Sequence, residues 1–381
     1  MIKAGRELGL RFVHFVEEFG RIPERTRLYL RNTHLSIPDL GTSRTPYKLR
    51  PAERRNPSDL QRSLSERFTN YNGSGPNTER FTVVTLRDGI PLYFQSYKEV
   101  FRKTGISNEA YNYIFDNSLL KFGLGDDEQS IIRFPRTRTG FEENTISTEL
   151  PRVVSVPTGM GSYPTGSLRQ YLSRNPRSNN TFQLALNSVI DVPTSKIFLV
   201  YEYPWWLEER FNFTFIQSDL PYRQSFHWGI SRNDKAVLLV SYTDLDDVAF
   251  WSHLQRRGRV ISKRNDDTRV TDEVLRHVHS QISNVYKIDY GCIPVPVDGM
   301  MFVWDKYPFN GGWVSWKPGS KSYIKNYLTK PFPQDNIFIV HGYWGGIHNG
   351  WGESSLEAAD DILTHFGVPS YLSNTLYNKQ E

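Results

Sequence analysis

Cysteine is all but absent. Cys292 is the one cysteine in 381 residues, so neither a disulfide framework nor a multi-cysteine zinc or iron–sulfur site can form within the chain. Long apolar runs are missing too. Mean hydropathy is −0.52, and no segment approaches the ~18 apolar residues of a membrane-spanning helix. No apolar core ending in small residues follows Met1, so no secretion signal is visible. A strong excess of one charge is also lacking: 46 Lys and Arg face 41 Asp and Glu, for a net charge of +5. The densest basic run, Arg256, Arg257, Arg259, Lys263 and Arg264, has no interleaved stacking aromatics, so it reads as a solvated loop rather than a nucleic-acid groove.

Several local chemistries are absent as well. There is no G-x-x-x-x-G-K-[ST] loop and no G-x-G-x-x-G; Gly159-Met160-Gly161 has Pro164 where the third glycine belongs. His277 and His279 lie two apart on an expected helix and face away from each other, and His341 and His348 have no carboxylate at ligand spacing, so no metal site is expected. No G-x-S-x-G elbow supports serine hydrolysis.

What is plentiful is aromatic: 14% of the residues, with 9 Trp and 21 Tyr, which suits deep small-ligand cavities as well as cores. The sequons at Asn72, Asn179 and Asn212 are of a kind common by chance.

Apolar spacing predicts an amphipathic helix over 6–19, then a loop-rich stretch to Tyr47–Pro51. A helix opens at Pro57 and Ser58, with Leu60, Leu64 and Phe68 four apart. Another starts after Ser107 as N-cap, with Ala110, Tyr111, Ile114 and Phe115 on one face, giving a mainly helical block. From Ser195 the pattern becomes strand-like: Ser195–Tyr203, Phe226–Ser231 and Ala236–Tyr242. Val274, Val278, Ile282 and Val285 mark a helix over 271–286, and Met301–Trp304 reads as a short strand. A strand at Ile337–His341, a turn rich in glycine (Gly342, Gly345, Gly346, Gly350) and a helix carrying Leu356, Ala359, Leu363 and Phe366 make a place where free N–H groups can cradle an anion.

Taken in order, these segments resemble the flavin-dependent amine oxidase superfamily, most closely its L-amino-acid oxidase branch. Arg6–Pro23 is similar to the family's E-L-G-L helix, Tyr47–Pro51 with Pro57–Leu60 to the entry of its helical domain, and Gly159-Met160 with Pro164-Thr165 to its G-M-x-x-L-P-T turn. Ser195–Leu199 with Trp205-Trp206 resembles T-K-I-F-L and the aromatic pair after it. Ser218-Asp219-Leu220-Pro221, Leu238–Tyr242, Gly311-Gly312-Trp313 and Gly342–Leu356 resemble four more blocks.

The resemblance implies an α+β / α/β chain with a helical domain at 45–148. A substrate-binding mixed-sheet domain takes 1–44 and 195–330, and an incomplete, Rossmann-like FAD-binding domain takes 149–194 and 331–381. It implies FAD as cofactor and a small amino acid as substrate, with no nucleic acid and no membrane; a homo-oligomer or a complementing chain remains open, as does the compartment. In the family a hydride passes from the substrate α-carbon to the flavin, the imine is hydrolysed to a keto acid, and oxygen is reduced to hydrogen peroxide. Lys196 matches the lysine that holds a water against the flavin; read by itself, it is an ordinary edge-of-strand lysine. Tyr242 matches a tyrosine that binds the substrate carboxylate, or is a core tyrosine bonded to backbone. Trp313 and Trp351 match walls of the substrate site, or are core aromatics. Gly350 matches the carbonyl that accepts the substrate amine, and Gly342, Tyr343, Gly350, Trp351, Glu353, Ser354 and Ser355 fall in the flavin-contacting segment.

Three departures accompany these matches. The family's opening strand, glycine turn and helix, with the ribose-binding acid and the carboxylate-binding arginine, are missing; only Asn175–Thr181 stands where the family places a run of strands; and the family's G-E reads Gly342-Tyr343. The resulting expectation is a truncated or degenerate oxidase-like chain impaired in FAD binding and inactive alone. The alternatives are an active enzyme completed by another segment or chain, and a non-catalytic module binding small ligands in a tryptophan-rich cavity.

Overall fold

The computed structural model describes residues 13–14, 23–66, 90, 94–118, 154–155, 180, 182, 184–185, 187–211, 213–230, 234–262, 266, 268–304, 306, 312–319, 324, 327, 330–332, 338, 356, 359–360, 362–363 and 366–369. Its centre is a seven-stranded sheet. Strands β1 (Val13–His14) and β4 (Val154–Ser155) form a separate antiparallel pair, and β5 (Val189–Val192) pairs with β11 (Trp313–Trp316). The main sheet is built from β2 (Thr26–Leu30), β3 (Thr33–Leu35), β6 (Thr194–Tyr201), β7 (Phe215–Ser218), β8 (Gln224–Ile230), β9 (Ala236–Asp244) and β10 (Asp298–Val303). Their spatial order is β10-β6-β9-β8-β7-β2-β3, antiparallel throughout except for the parallel β2–β7 pair.

One face of this sheet packs on helices α4 (Asp246–Gln255) and α5 (Asp272–Tyr286). The 4-4-3 spacing of Val274, Val278, Ile282 and Val285 turns one stripe of α5 inward, and all four are buried with Ile197, Leu199, Leu238 and Trp251. Tyr201, Trp205, Trp206, Phe211, Phe213 and Tyr286 extend this core as a run of ring contacts, most of them edge-on or tilted. The other face meets helices α1 (Pro57–Glu66), α2 (Tyr97–Lys103) and α3 (Asn108–Asp116) through Leu28, Leu30 and Leu35, which bury against Leu60, Leu64, Phe101 and Tyr113.

Caps fix the ends of these helices. The Ser107 hydroxyl accepts from the Ala110 N–H at 3.0 Å, as its sequence position foretold. Ser96 and Glu99 close a capping box on α2, a helix with no clear signal in the apolar spacing. Glu53, buried, accepts from the Ser107 N–H and hydroxyl, each at 2.8 Å, and from the Arg50 N–H at 2.9 Å. Burial pushes the Glu53 carboxyl up, but these donors outweigh it and hold it below the ordinary glutamate value.

Two expectations need correction, and several elements were unmarked. Val13–His14 is a strand, where a helix over 6–19 was expected; β-branched Val13 suits pairing with Val154–Ser155. The loop-rich stretch before Tyr47 contains β2 and β3, which obtain partners only from tertiary contacts. Phe215–Ser218 and Val189–Val192 are strands too, unmarked because they are short. Asp246–Gln255 is helical although its apolar residues do not gather on one stripe. Of the strand expected at Ile337–His341 only Phe338 is described, and the glycine turn lies outside the described residues. Gly367 ends the last helical stretch with φ +78°, and the Val368 N–H donates to the Leu363 carbonyl at 3.1 Å.

Two measurements check this packing. Val278→Ala is expected to lower stability by about 1–3 kcal/mol in urea titration, through lost methyl groups and a residual void against the sheet. Glu53→Gln is expected to lower the melting temperature at neutral pH. A carboxyl held below its unfolded value contributes stability above that value and loses it as pH falls through the folded one, so the gap between variant and parent should close as the pH falls below the ordinary glutamate range.

Candidate functional site

Lys196 and Tyr242 are direct cross-strand partners on β6 and β9. The Lys196 Nζ lies 4.5 Å from the centroid of the Tyr242 ring. The register extends on either side: Phe302 on β10 pairs with Lys196, Gln224 on β8 with Tyr242, and Gln217 on β7 with Gln224. Opposite residues in an antiparallel sheet share a face. Phe302, Lys196, Tyr242, Gln224 and Gln217 therefore form one row, which continues through Gln217–Leu28 onto the side that carries the helical block. Lys196 is not at an edge; it sits on an interior strand, paired on both sides.

Beneath this row a small aromatic cluster forms from Phe215, Phe226 and Leu239, with Phe198, Trp228 and Tyr242 packed on it half-buried. Phe198 and Trp228 meet edge to face at 5.2 Å. The β6–β9 register shifts between Ile197 and Phe198, so the bulge adjoins Lys196; the β8–β9 register shifts on both sides of His227. Bulges re-aim side chains and are frequent beside functional sites. His227 itself turns to the opposite face, among Trp206 and Phe213, where burial lowers its pKa to about 3.

Trp313 begins β11 and pairs with Val192, in the same run of chain as Lys196. Gly312 is required there: a Cβ would sit 2.0 Å from the Val192 carbonyl oxygen. Gly342, Tyr343, Gly350, Trp351, Glu353, Ser354 and Ser355 lie outside the described residues. The structure therefore brings Lys196 and Tyr242 together and places the Trp313 backbone on the strand paired with the lead-in to Lys196.

A profile of the flavin containing amine oxidoreductase family matches residues 164–363, just over half of the chain. This chain belongs to that family. The family is flavin-containing, and FAD is the cofactor it implies here. The chain is 25% identical to achacin of Lissachatina fulica over 430 aligned positions, covering 95% of this chain and 80% of the relative. It is 24% identical to aplysianin-A of Aplysia kurodai, covering 95% and 77%. A Bacillus subtilis protein, YobN, provisionally named an L-amino-acid oxidase, is 24% identical over 37% of this chain and 26% of its own length. The solved structure of cyclohexylamine oxidase from Brevibacterium oxydans superposes with a TM-score of 0.59 at 14% identity, covering 96% of this chain and 85% of that one, which shows a shared fold. The α+β architecture of mixed sheet and helices is thus that of an amine oxidase.

The donor set of the Lys196 face fits one side of a flavin. It offers the Lys196 ammonium and the Tyr242 phenol among aromatic rings, which suits a flat ring bearing hydrogen-bond acceptors. Among the described residues no group of three or more His, Cys, Asp or Glu is placed to hold a metal ion, and no helix is long and apolar enough to cross a membrane.

Gln217, Gln224, Phe302 and Trp228 were not singled out by sequence reasoning, because register alone puts the first three in one row with Lys196 and packing alone sets Trp228 against Phe198. Gly312→Ala is expected to cost about 1–3 kcal/mol in thermal unfolding, since strand β11 must move to relieve the overlap with Val192.

Proposed function

We propose that this chain is an L-amino-acid-oxidase-like flavoprotein, of the class that converts an L-amino acid to a keto acid, ammonia and hydrogen peroxide. The observation that carries the reading is the Lys196–Tyr242 pair, set face to face across β6 and β9 beside the helical block. When bound, FAD supplies the acceptor for the hydride. Lys196 holds a water by donating from Nζ and can pass a proton at that atom. The Tyr242 hydroxyl donates to the substrate carboxylate. Phe198, Phe302 and Trp228 keep bulk water from the face, and their apolar surface suits an aliphatic or aromatic amino acid. Trp313 and Trp351 wall the substrate, the Gly350 carbonyl accepts its amine, and Gly342, Glu353, Ser354 and Ser355 hold the flavin side chain and its phosphates. In this reading 45–148 is the helical domain, 1–44 and 195–330 the substrate-binding sheet domain, and 149–194 with 331–381 the flavin-binding part.

The same reading makes the grip on FAD weak for these 381 residues alone. They contain no G-x-G-x-x-G, and Tyr343 stands where the family has a carboxylate. Each absent charge-assisted contact costs about 1.5–3 kcal/mol, so a few of them weaken binding by orders of magnitude.

Purified chain incubated with excess FAD and passed through gel filtration is expected to lose most of its yellow colour; stoichiometric retained flavin would contradict the weak grip. Without added FAD the chain is expected to be inactive; with FAD in excess, an L-amino acid such as leucine or phenylalanine is expected to release peroxide, and Lys196→Met to reduce that release at least ~100-fold. Undiminished release from Lys196→Met would overturn the role given to Lys196.

A further inference from the structure

Arg223 is fully buried, at the turn between β7 and β8. Its φ is +54°, in the left-handed region that a long side chain seldom enters. Such strain persists only where surrounding contacts over-determine it. Most of those contacts lead to one place. Nη2 donates to the Phe115 carbonyl at 2.8 Å, the Ser118 carbonyl at 2.8 Å and the Ser118 hydroxyl at 3.1 Å, while the guanidinium lies 5.7 Å from the Phe115 ring centroid. Nη1 donates to the Ser218 carbonyl at 3.4 Å. Gln217 Nε2 adds bonds to the Asp116 carbonyl at 3.1 Å and the Ser118 carbonyl at 2.9 Å.

The Phe115, Asp116 and Ser118 carbonyls stand at and just past the C-terminal end of α3, the negative end of the helix, where a cation is favoured. On the sheet side, Arg223 forms a parallel bridge with Tyr242, and Gln224 next to it is the direct strand partner of Tyr242.

We propose that Arg223, assisted by Gln217, is a positioning residue: it anchors the end of α3 to the backbone that carries Tyr242, so that the helical block sets where the Tyr242 hydroxyl stands for a substrate carboxylate. This rests on the reading of Tyr242 given above. A catalytic role for Arg223 is not implied, since the side chain is fully buried and its Nη2 is held on the carbonyls of Phe115 and Ser118. It acts through the strand.

Benzoate serves as an unreactive aromatic carboxylate probe, with its Kd read on the chain by quenching of tryptophan fluorescence. Tyr242→Phe is expected to weaken benzoate about tenfold or more, the equivalent of one hydrogen bond to a charged group. Arg223→Lys is expected to weaken it severalfold, and the double variant to bind no more weakly than Tyr242→Phe alone, because the arginine works through the tyrosine. Losses that add in the double variant overturn the positioning role while leaving the site reading intact. Absence of benzoate binding by the unaltered chain overturns the site reading and the inference together. Should Arg223→Lys fail to fold, Gln217→Met, which loses the lesser half of the anchor, decides by the same comparison.

Discussion

The register of β6 against β9 is the constraint on which the rest of the molecule depends. It sets Lys196 opposite Tyr242 on one face and Ile197, Leu199 and Leu238 on the other, against α4 and α5. Side chains alternate with a period of two, so a slip of one residue would drive an ammonium into the apolar layer and bring leucines to the site. Burying an unpaired charge costs far more than any single contact on this face returns. The packed core beneath the sheet thus fixes the register, and the register fixes the site. The bulge after Ile197 interrupts this alternation at the one place where the site lies.

The second constraint is the attachment of the helical block. Leu28, Leu30 and Leu35 supply an apolar floor shared by the end strands and α1–α3. Direction is added by polar contacts across the boundary: Arg31 pairs with Glu109 at 2.7 and 3.1 Å and Gln217 Nε2 donates to the Asp116 carbonyl at 3.1 Å, while within the block the Tyr47 hydroxyl donates to the Asp116 carboxylate at 2.7 Å. Burial pushes the Asp116 carboxyl up, and the Tyr47 donor and the nearby Arg223 charge only partly offset it. Apolar contact holds the block close; these directed bonds choose its orientation beside the row of Lys196 and Tyr242.

Sequence reading found the elements whose apolar residues repeat strongly and whose caps are local. Helix α5 announces itself through four aliphatic residues on one stripe, α3 through Ser107, and β6 and β9 through dense β-branched and aromatic runs. It missed β2, β3, β5 and β7 because short strands carry little local pattern and gain their stability from partners distant in the chain. Of the candidate site, Lys196 and Tyr242 were singled out through resemblance to known blocks, and the structure shows that they face each other across β6 and β9. Arg223 was not legible: it lies next to a recognised block, Ser218–Pro221, but only the fold shows that its guanidinium ends a helix more than a hundred residues away.

The most direct test of the central claim, that this sheet face oxidises an L-amino acid with FAD, is anaerobic mixing of the chain with a known amount of FAD and a single L-amino acid, followed in the visible flavin band. The account predicts that L-leucine or L-phenylalanine bleaches the band, that the D-enantiomer leaves it unchanged, and that admitting oxygen restores it. A band that stays unbleached under saturating FAD and L-amino acid would contradict the account.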